Sequence, residues 1–183
     1  MIKSFVICVL LCLVSYRVNA NERTVIFDDT TYHLAYIKEN STASINEYIL
    51  PEKTLENWDK MVALHVFHHQ SNITPAQFAQ RLGEAVKTKN PKAGFRVISN
   101  PHTEEAMIDF MTWTNEDPLI SEFNIFKFKI GSKPGDILGY QYAFRTYGNS
   151  VEEFKKEFSQ NRERLVSLMK NEPYPPFVTE ADR

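Results

Sequence analysis

The chain has 183 residues, of which 43% are hydrophobic, 13% aromatic and 24% charged, with a formal net charge of −2. That balance excludes an intrinsically disordered chain, which would carry fewer aromatics and a larger net charge. The length suits a single domain, and a chain of this size buries enough surface to fold without a metal or a disulfide.

The first twenty residues read as an address. Lys3 precedes the ten-residue apolar run Phe5–Val14, and Ser15–Ala20 ends in Val18-Asn19-Ala20, a pattern that predicts signal-peptide cleavage after Ala20. The run is about half the ~20 residues that a bilayer span needs, so no membrane span is expected after cleavage. Leu11 before Cys12, with Leu13-Val14 after it, makes a poor lipidation site. Removing twenty of the 183 residues leaves 163, and takes two of the 21 basic residues, leaving 19 against 23 acidic ones and a net charge of −4. Both cysteines, Cys8 and Cys12, leave with the leader. The expected mature chain therefore has no disulfide, thiolate nucleophile or cysteine-ligated metal, and it lacks the basic footprint of a general nucleic-acid binder. The expected location is periplasmic or secreted.

Residues 21–170 read as one domain, followed by a Pro-containing tail over 171–183. In chain order, the β-rich segments Val25–Phe27, Tyr32–Ile37 and Ile45–Leu50 come first, and Met61–His68 reads as a buried strand. Thr74-Pro75-Ala76-Gln77 then opens a helix. Threonine is its N-cap, proline takes the first helical position, and glutamine three residues on completes a capping box. Phe78, Leu82, Ala85 and Val86 follow at helical spacing, and Asn90-Pro91 ends the helix. Four strands come next: Phe95–Ser99, Ala106–Thr114, Phe123–Ile130 and Ile137–Tyr147. The turns between them are Asn100-Pro101, Asn115–Pro118 and Gly131–Asp136. A second capping box, Ser150-Val151-Glu152-Glu153, opens a helix with Phe154, Phe158, Leu165 and Met169 on its apolar stripe, stopped at Glu172-Pro173. This order predicts an α+β sandwich: a mainly antiparallel sheet of about six to eight strands with two amphipathic helices packed on one face.

The segment Glu47-Tyr48-Ile49-Leu50-Pro51-Glu52-Lys53-Thr54-Leu55-Glu56-Asn57-Trp58 is similar to one found in small exported bacterial proteins of unknown function. With the element order, it resembles the Mog1/PsbP-like fold group. That group includes binding and assembly factors without shared catalytic residues, so the resemblance implies a binding role and transfers no active site.

The sharpest local cluster is His65, His68 and His69. On a strand, His65 and His69 share one face, and two such imidazoles suit zinc or copper with a third ligand from His33 or His102. The competing reading is a set of solvated histidines at a strand end. Asp28-Asp29 and Glu104-Glu105 are adjacent acids that point to opposite faces of a strand, so neither doublet makes a dyad by itself. No Gly-x-Ser-x-Gly context or phosphate loop is present, and a Ser–His–Asp triad would have to assemble in space. Phe126-Lys127-Phe128-Lys129 alternates core and basic positions, and reads as a strand with one solvated face. Tyr174-Pro175-Pro176-Phe177 is either an extended docking segment or a loose terminus. These features lead to an exported, soluble, non-catalytic binding domain for a protein or small-molecule ligand, without catalytic residues or a required cofactor. The alternatives are a histidine- or metal-dependent hydrolase built on His65 and His69, with zinc as the metal, and a secreted effector acting on a host partner.

Overall fold

The computed structural model describes residues 23–100, 102–114, 119–148 and 150–182. The expected signal peptide with its cleavage point, and the expected turn at 115–118, lie outside the described residues. Eight strands form one sheet: β1 (Thr24–Phe27), β2 (Thr30–Glu39), β3 (Ala43–Ile49), β4 (Lys60–Phe67), β5 (Phe95–Asn100), β6 (Glu105–Trp113), β7 (Ile120–Ile130) and β8 (Ile137–Tyr147). Their order across the sheet is β1-β2-β3-β4-β8-β7-β6-β5, with every neighbouring pair antiparallel. Two four-stranded meanders therefore meet along β4 and β8. The helix α1 (Pro75–Lys89) carries the chain from β4 in the middle of the sheet to β5 at its edge. Asp28 and Asp29 both have left-handed backbones (φ 51° and 53°) and close the two-residue β1–β2 hairpin, whose twist such a turn matches.

The expectation of two helices on one face is overturned. Helix α1 packs on one face, where Ala79 and Val86 meet Ala106, Ile108, Phe110, Phe126 and Phe128. The opposite face is covered by α2 (Val151–Ser159) and α3 (Arg162–Asn171), whose Phe154, Phe158, Leu165, Val166 and Met169 meet Met107, Phe123, Ile125 and Tyr142. The reason lies in the central strands. Ala106 through Phe110 on β6 and Phe123 through Phe128 on β7 are buried at every position, so both faces of these strands need cover. The alternation at Phe126–Lys129 suggests one solvated face, but both faces of the strand are covered. The result is a single antiparallel sheet between helical layers.

The second predicted helix is two. Both capping boxes form: Thr74 Oγ1 accepts from the Gln77 amide, and Ser150 Oγ from that of Glu153. The run breaks at Gln160-Asn161, where the Asn161 amide bonds back three residues to the Phe158 carbonyl. α3 restarts there and brings Arg162 against the buried carboxylate of Asp109, with its Nε 3.0 Å from Oδ1. Burying Asp109 on an apolar face is tolerable because Arg162 and Arg96 both pair with it.

The tail is neither loose nor separate. Tyr174 and Phe177 pack on the core beneath α2 and α3, and Val178 exchanges two 2.8 Å hydrogen bonds with the Asn46 side-chain amide. The basic positions of β7 are also not solvated as a pair. Lys127 is buried, donates to the carbonyls of Lys170 (3.2 Å) and Glu172 (2.8 Å) at the end of α3, and lies against the Tyr174 ring. Its ammonium fills the role of a C-terminal cap on that helix, while burial lowers its pKa. Among the described residues, no helix is long and apolar enough to cross a membrane.

Candidate functional site

Three connections meet at one end of the sheet: the segment between β4 and α1, the turn between β5 and β6, and the turn between β7 and β8. Between them lies a cleft of about 880 Å³. Gln70, Ser71, Asn72 and Thr74 give it amide and hydroxyl groups, Ile73, Pro75, Ile130 and Ile137 an apolar floor, and Glu104, Glu105 and Asp136 carboxylates. Among the described residues, no Lys, Arg or His side chain lines it. The N-terminus of α1 abuts the cleft, but its capping box already occupies the Gln77 amide, which weakens any pull on an anion.

The walls are held in uncommon backbone conformations. His69, Asn72 and Glu104 have φ of 59°, 64° and 54°, and Gly135 has 81°. Asn72, Glu104 and Gly135 line the cleft, and His69 immediately precedes its first lining residue. Left-handed backbone at a non-glycine residue costs of order 1–2 kcal/mol, and such positions gather where a binding surface is shaped. The Gln70 amide bonds the Gly135 carbonyl at 2.6 Å and so ties two walls together. At position 135 the left-handed backbone favours glycine, and a side chain there would also displace Ser71 Oγ, 2.8 Å away.

A polar trio stands behind the Asp136 wall. His68 Nδ1 is 3.1 Å from Asp136 Oδ1, and its Nε2 is 3.1 Å from Ser44 Oγ. Ser44 lies on β3, opposite Val66 of β4, and the His68 amide bonds the Thr42 carbonyl just beyond the ends of those strands. Asp136 closes the β7–β8 turn, its amide bonded to the Lys133 carbonyl. Gly131 makes room for it, because a Cβ there would stand 2.7 Å from the Asp136 Cβ.

The expected metal pair is not brought together in this way. β4 ends at Phe67, and His69 has left the strand with a left-handed backbone and an exposed side chain. The alternation that put it on the face of His65 stops before reaching it. His65 faces the α1 side, stacked on Phe67 and tilted against Phe126, each ring centroid 5.5 Å away. Its Nε2–H donates to Gln141 Oε1 at 2.7 Å. From there a chain of side chains runs along the sheet: Gln141 donates to Asn124 (2.6 Å), Asn124 to Glu122 (2.8 Å), and Arg145 to Glu122 (2.7 Å) while stacking on Trp58. Burial holds the His65 imidazole neutral, its pKa pushed down to about 4. A metal at Nε2 would have to displace the proton that this network uses. His33 is exposed on β2, His102 sits in the β5–β6 turn, and among the described residues no group of three or more His, Cys, Asp or Glu could hold a metal ion.

Sequence reasoning singled out His68 only as part of the cluster and missed Ser44, Asp136 and the cleft. The doublet Glu104-Glu105 is at the cleft, but as separate wall residues and not as a dyad. The one signal in the sequence was the turn Gly131–Asp136, whose glycines frame the aspartate.

No curated protein matches the chain. Residues 20–173 match the model of an uncharacterised family, and since that span covers most of the sequence, the chain belongs to this family.

Proposed function

We propose that the chain is an exported, soluble binding domain whose small-molecule ligand occupies the cleft between the start of α1 and the β5–β6 and β7–β8 turns. The observation that carries this reading is the cleft itself: about 880 Å³, within the range of small-ligand sites, with an apolar floor and converging polar groups. The left-handed residues in its walls support it, since they hold a surface shape that the fold alone does not require. The resemblance to the Mog1/PsbP-like group, which includes binding and assembly factors, points the same way. The carboxylates of Glu104, Glu105 and Asp136, with no basic side chain among the described lining residues, favour a neutral or cationic ligand over an anionic one.

A thermal-shift screen of neutral, cationic and anionic small molecules tests it, repeated on Ala76→Trp, which fills the cleft from the first turn of α1. Neutral or cationic compounds should stabilise the native chain, and the bulky variant should lose the effect. Stabilising compounds that act equally on the variant would place the site elsewhere and refute the reading.

A further inference from the structure

We propose that Ser44, His68 and Asp136 form a nucleophilic site that accepts the acyl group of a small, uncharged carboxylic ester. This goes beyond binding in the cleft, and rests on which atoms of the three side chains meet.

Asp136 as a carboxylate can only accept, so the proton of a neutral His68 lies on Nδ1, pointing at Oδ1. That leaves the lone pair on Nε2, which must then accept the Ser44 hydroxyl proton. A single tautomer satisfies both contacts, and it is the one in which the imidazole is oriented as a base toward the serine. The opposite arrangement, with Nε2 carrying the proton, would set an imidazole lone pair against a carboxylate. All three groups are held by backbone hydrogen bonds: Ser44 within β3, His68 bonded through its amide to Thr42, and Asp136 in the turn just before β8, its amide bonded to Lys133.

The surroundings suit such a group. Ser44 is 7% exposed, and the side chains of His68 and Asp136 are 19% and 9% exposed. The hydroxyl is thus largely withdrawn from water, while the imidazole edge remains reachable. Of the trio only Asp136 lines the neighbouring cleft, while Ser44 and His68 lie behind it; the apolar floor of that cleft and the lack of basic side chains among its described lining residues suit an uncharged ester.

The step balances with water as the only co-reactant. Ser44 Oγ bonds to the ester carbonyl carbon while its proton passes to His68 Nε2. The carbon–oxygen bond to the alcohol breaks, and the departing oxygen takes that proton from Nε2. Water then attacks the acyl-serine, giving a proton to Nε2 that returns to Ser44 Oγ as the carboxylic acid leaves.

The test uses the full chain and an uncharged alkyl fluorophosphonate, which forms a serine–phosphorus bond as fluoride leaves. Intact mass and peptide mapping read the product. One adduct per chain, on Ser44, is expected. Ser44→Ala should abolish it, and His68→Gln should slow its formation by about 100-fold or more, the scale of a general base. Circular dichroism on each variant separates loss of the group from loss of the fold, and labelling of the native chain decides the matter even if a variant does not fold. No adduct on the native chain, an adduct on another residue, or a rate indifferent to His68 in a folded variant would each overturn the proposal. In any of those cases the trio only ties the ends of β3, β4 and β8 together.

Discussion

Replacing His65 with glutamine should remove a large part of the acid sensitivity of the fold. In the native state the His65 pKa is about 4, against an ordinary value of 6.5, because burial beside Phe67 and Phe126 penalises the charged ring. Between those two values the unfolded chain holds a proton at this position that the folded chain does not. Stability therefore falls as pH drops from 6.5 toward 4, and the contribution is intact above 6.5. At 1.36 kcal/mol per pKa unit the loss is about 1.4 kcal/mol at pH 5.5 and about 3 kcal/mol at pH 4. Glutamine keeps a donor for Gln141 Oε1 and has nothing to titrate. Urea unfolding of both chains at intervals from pH 4 to 7.5 provides the comparison. The difference in unfolding free energy between native and variant should shift by about 3 kcal/mol across that range, in the direction that favours the variant in acid. Parallel curves would show that His65 titrates normally in the fold, and would refute the claim that its neutral form is the one built into the network.

Three further substitutions probe other parts of the structure. Phe154 is fully buried on the α2–α3 side, packed against Phe144 and Phe158, so Phe154→Ala should cost about 3–5 kcal/mol in denaturant unfolding. Lys127→Met keeps the volume but removes the donor to the carbonyls of Lys170 and Glu172. It should cost about 1–2 kcal/mol, and hydrogen exchange should show the last turn of α3 opening first. Glu104→Gly relieves a left-handed backbone and should raise stability by about 1 kcal/mol in thermal unfolding, while weakening any cationic ligand found in the cleft screen.

Much of the local structure was readable because local chemistry determines it. Both helix starts are encoded in four residues each, and Thr74-Pro75-Ala76-Gln77 and Ser150-Val151-Glu152-Glu153 form their capping boxes as written. The β segments were legible from apolar periodicity bounded by turn residues. What periodicity does not carry is which face a helix takes. Phe126-Lys127-Phe128-Lys129 looks like an amphipathic strand, and yet Lys127 is as buried as Phe126, because the end of α3 and Tyr174 close over it. A lysine that caps a helix forty residues downstream has the same sequence appearance as one in water. The break at Gln160-Asn161 was hidden for a related reason: Phe158 and Leu165 are spaced as one continuous stripe allows, and the pairing of Arg162 with Asp109 that follows the break is not visible in spacing.

The candidate sites were less legible, because they are products of register and not of spacing. Ser44 and His68 are 24 residues apart, and His68 and Asp136 are 68 apart. They meet only because β3 pairs with β4 so that Ser44 faces Val66, and β4 pairs with β8 so that Phe67 faces Ile137. A shift of one residue in either pairing would turn Ser44 or Asp136 to the other side of the sheet and dissolve the trio. His65 and His69 show the reverse case. Their spacing suited a shared face, but the strand ends at Phe67, and the left-handed turn at His69 that spoils the metal pair also begins the wall of the cleft. The same two-residue departure from the strand thus takes away the site that spacing suggested and begins the one that folding creates.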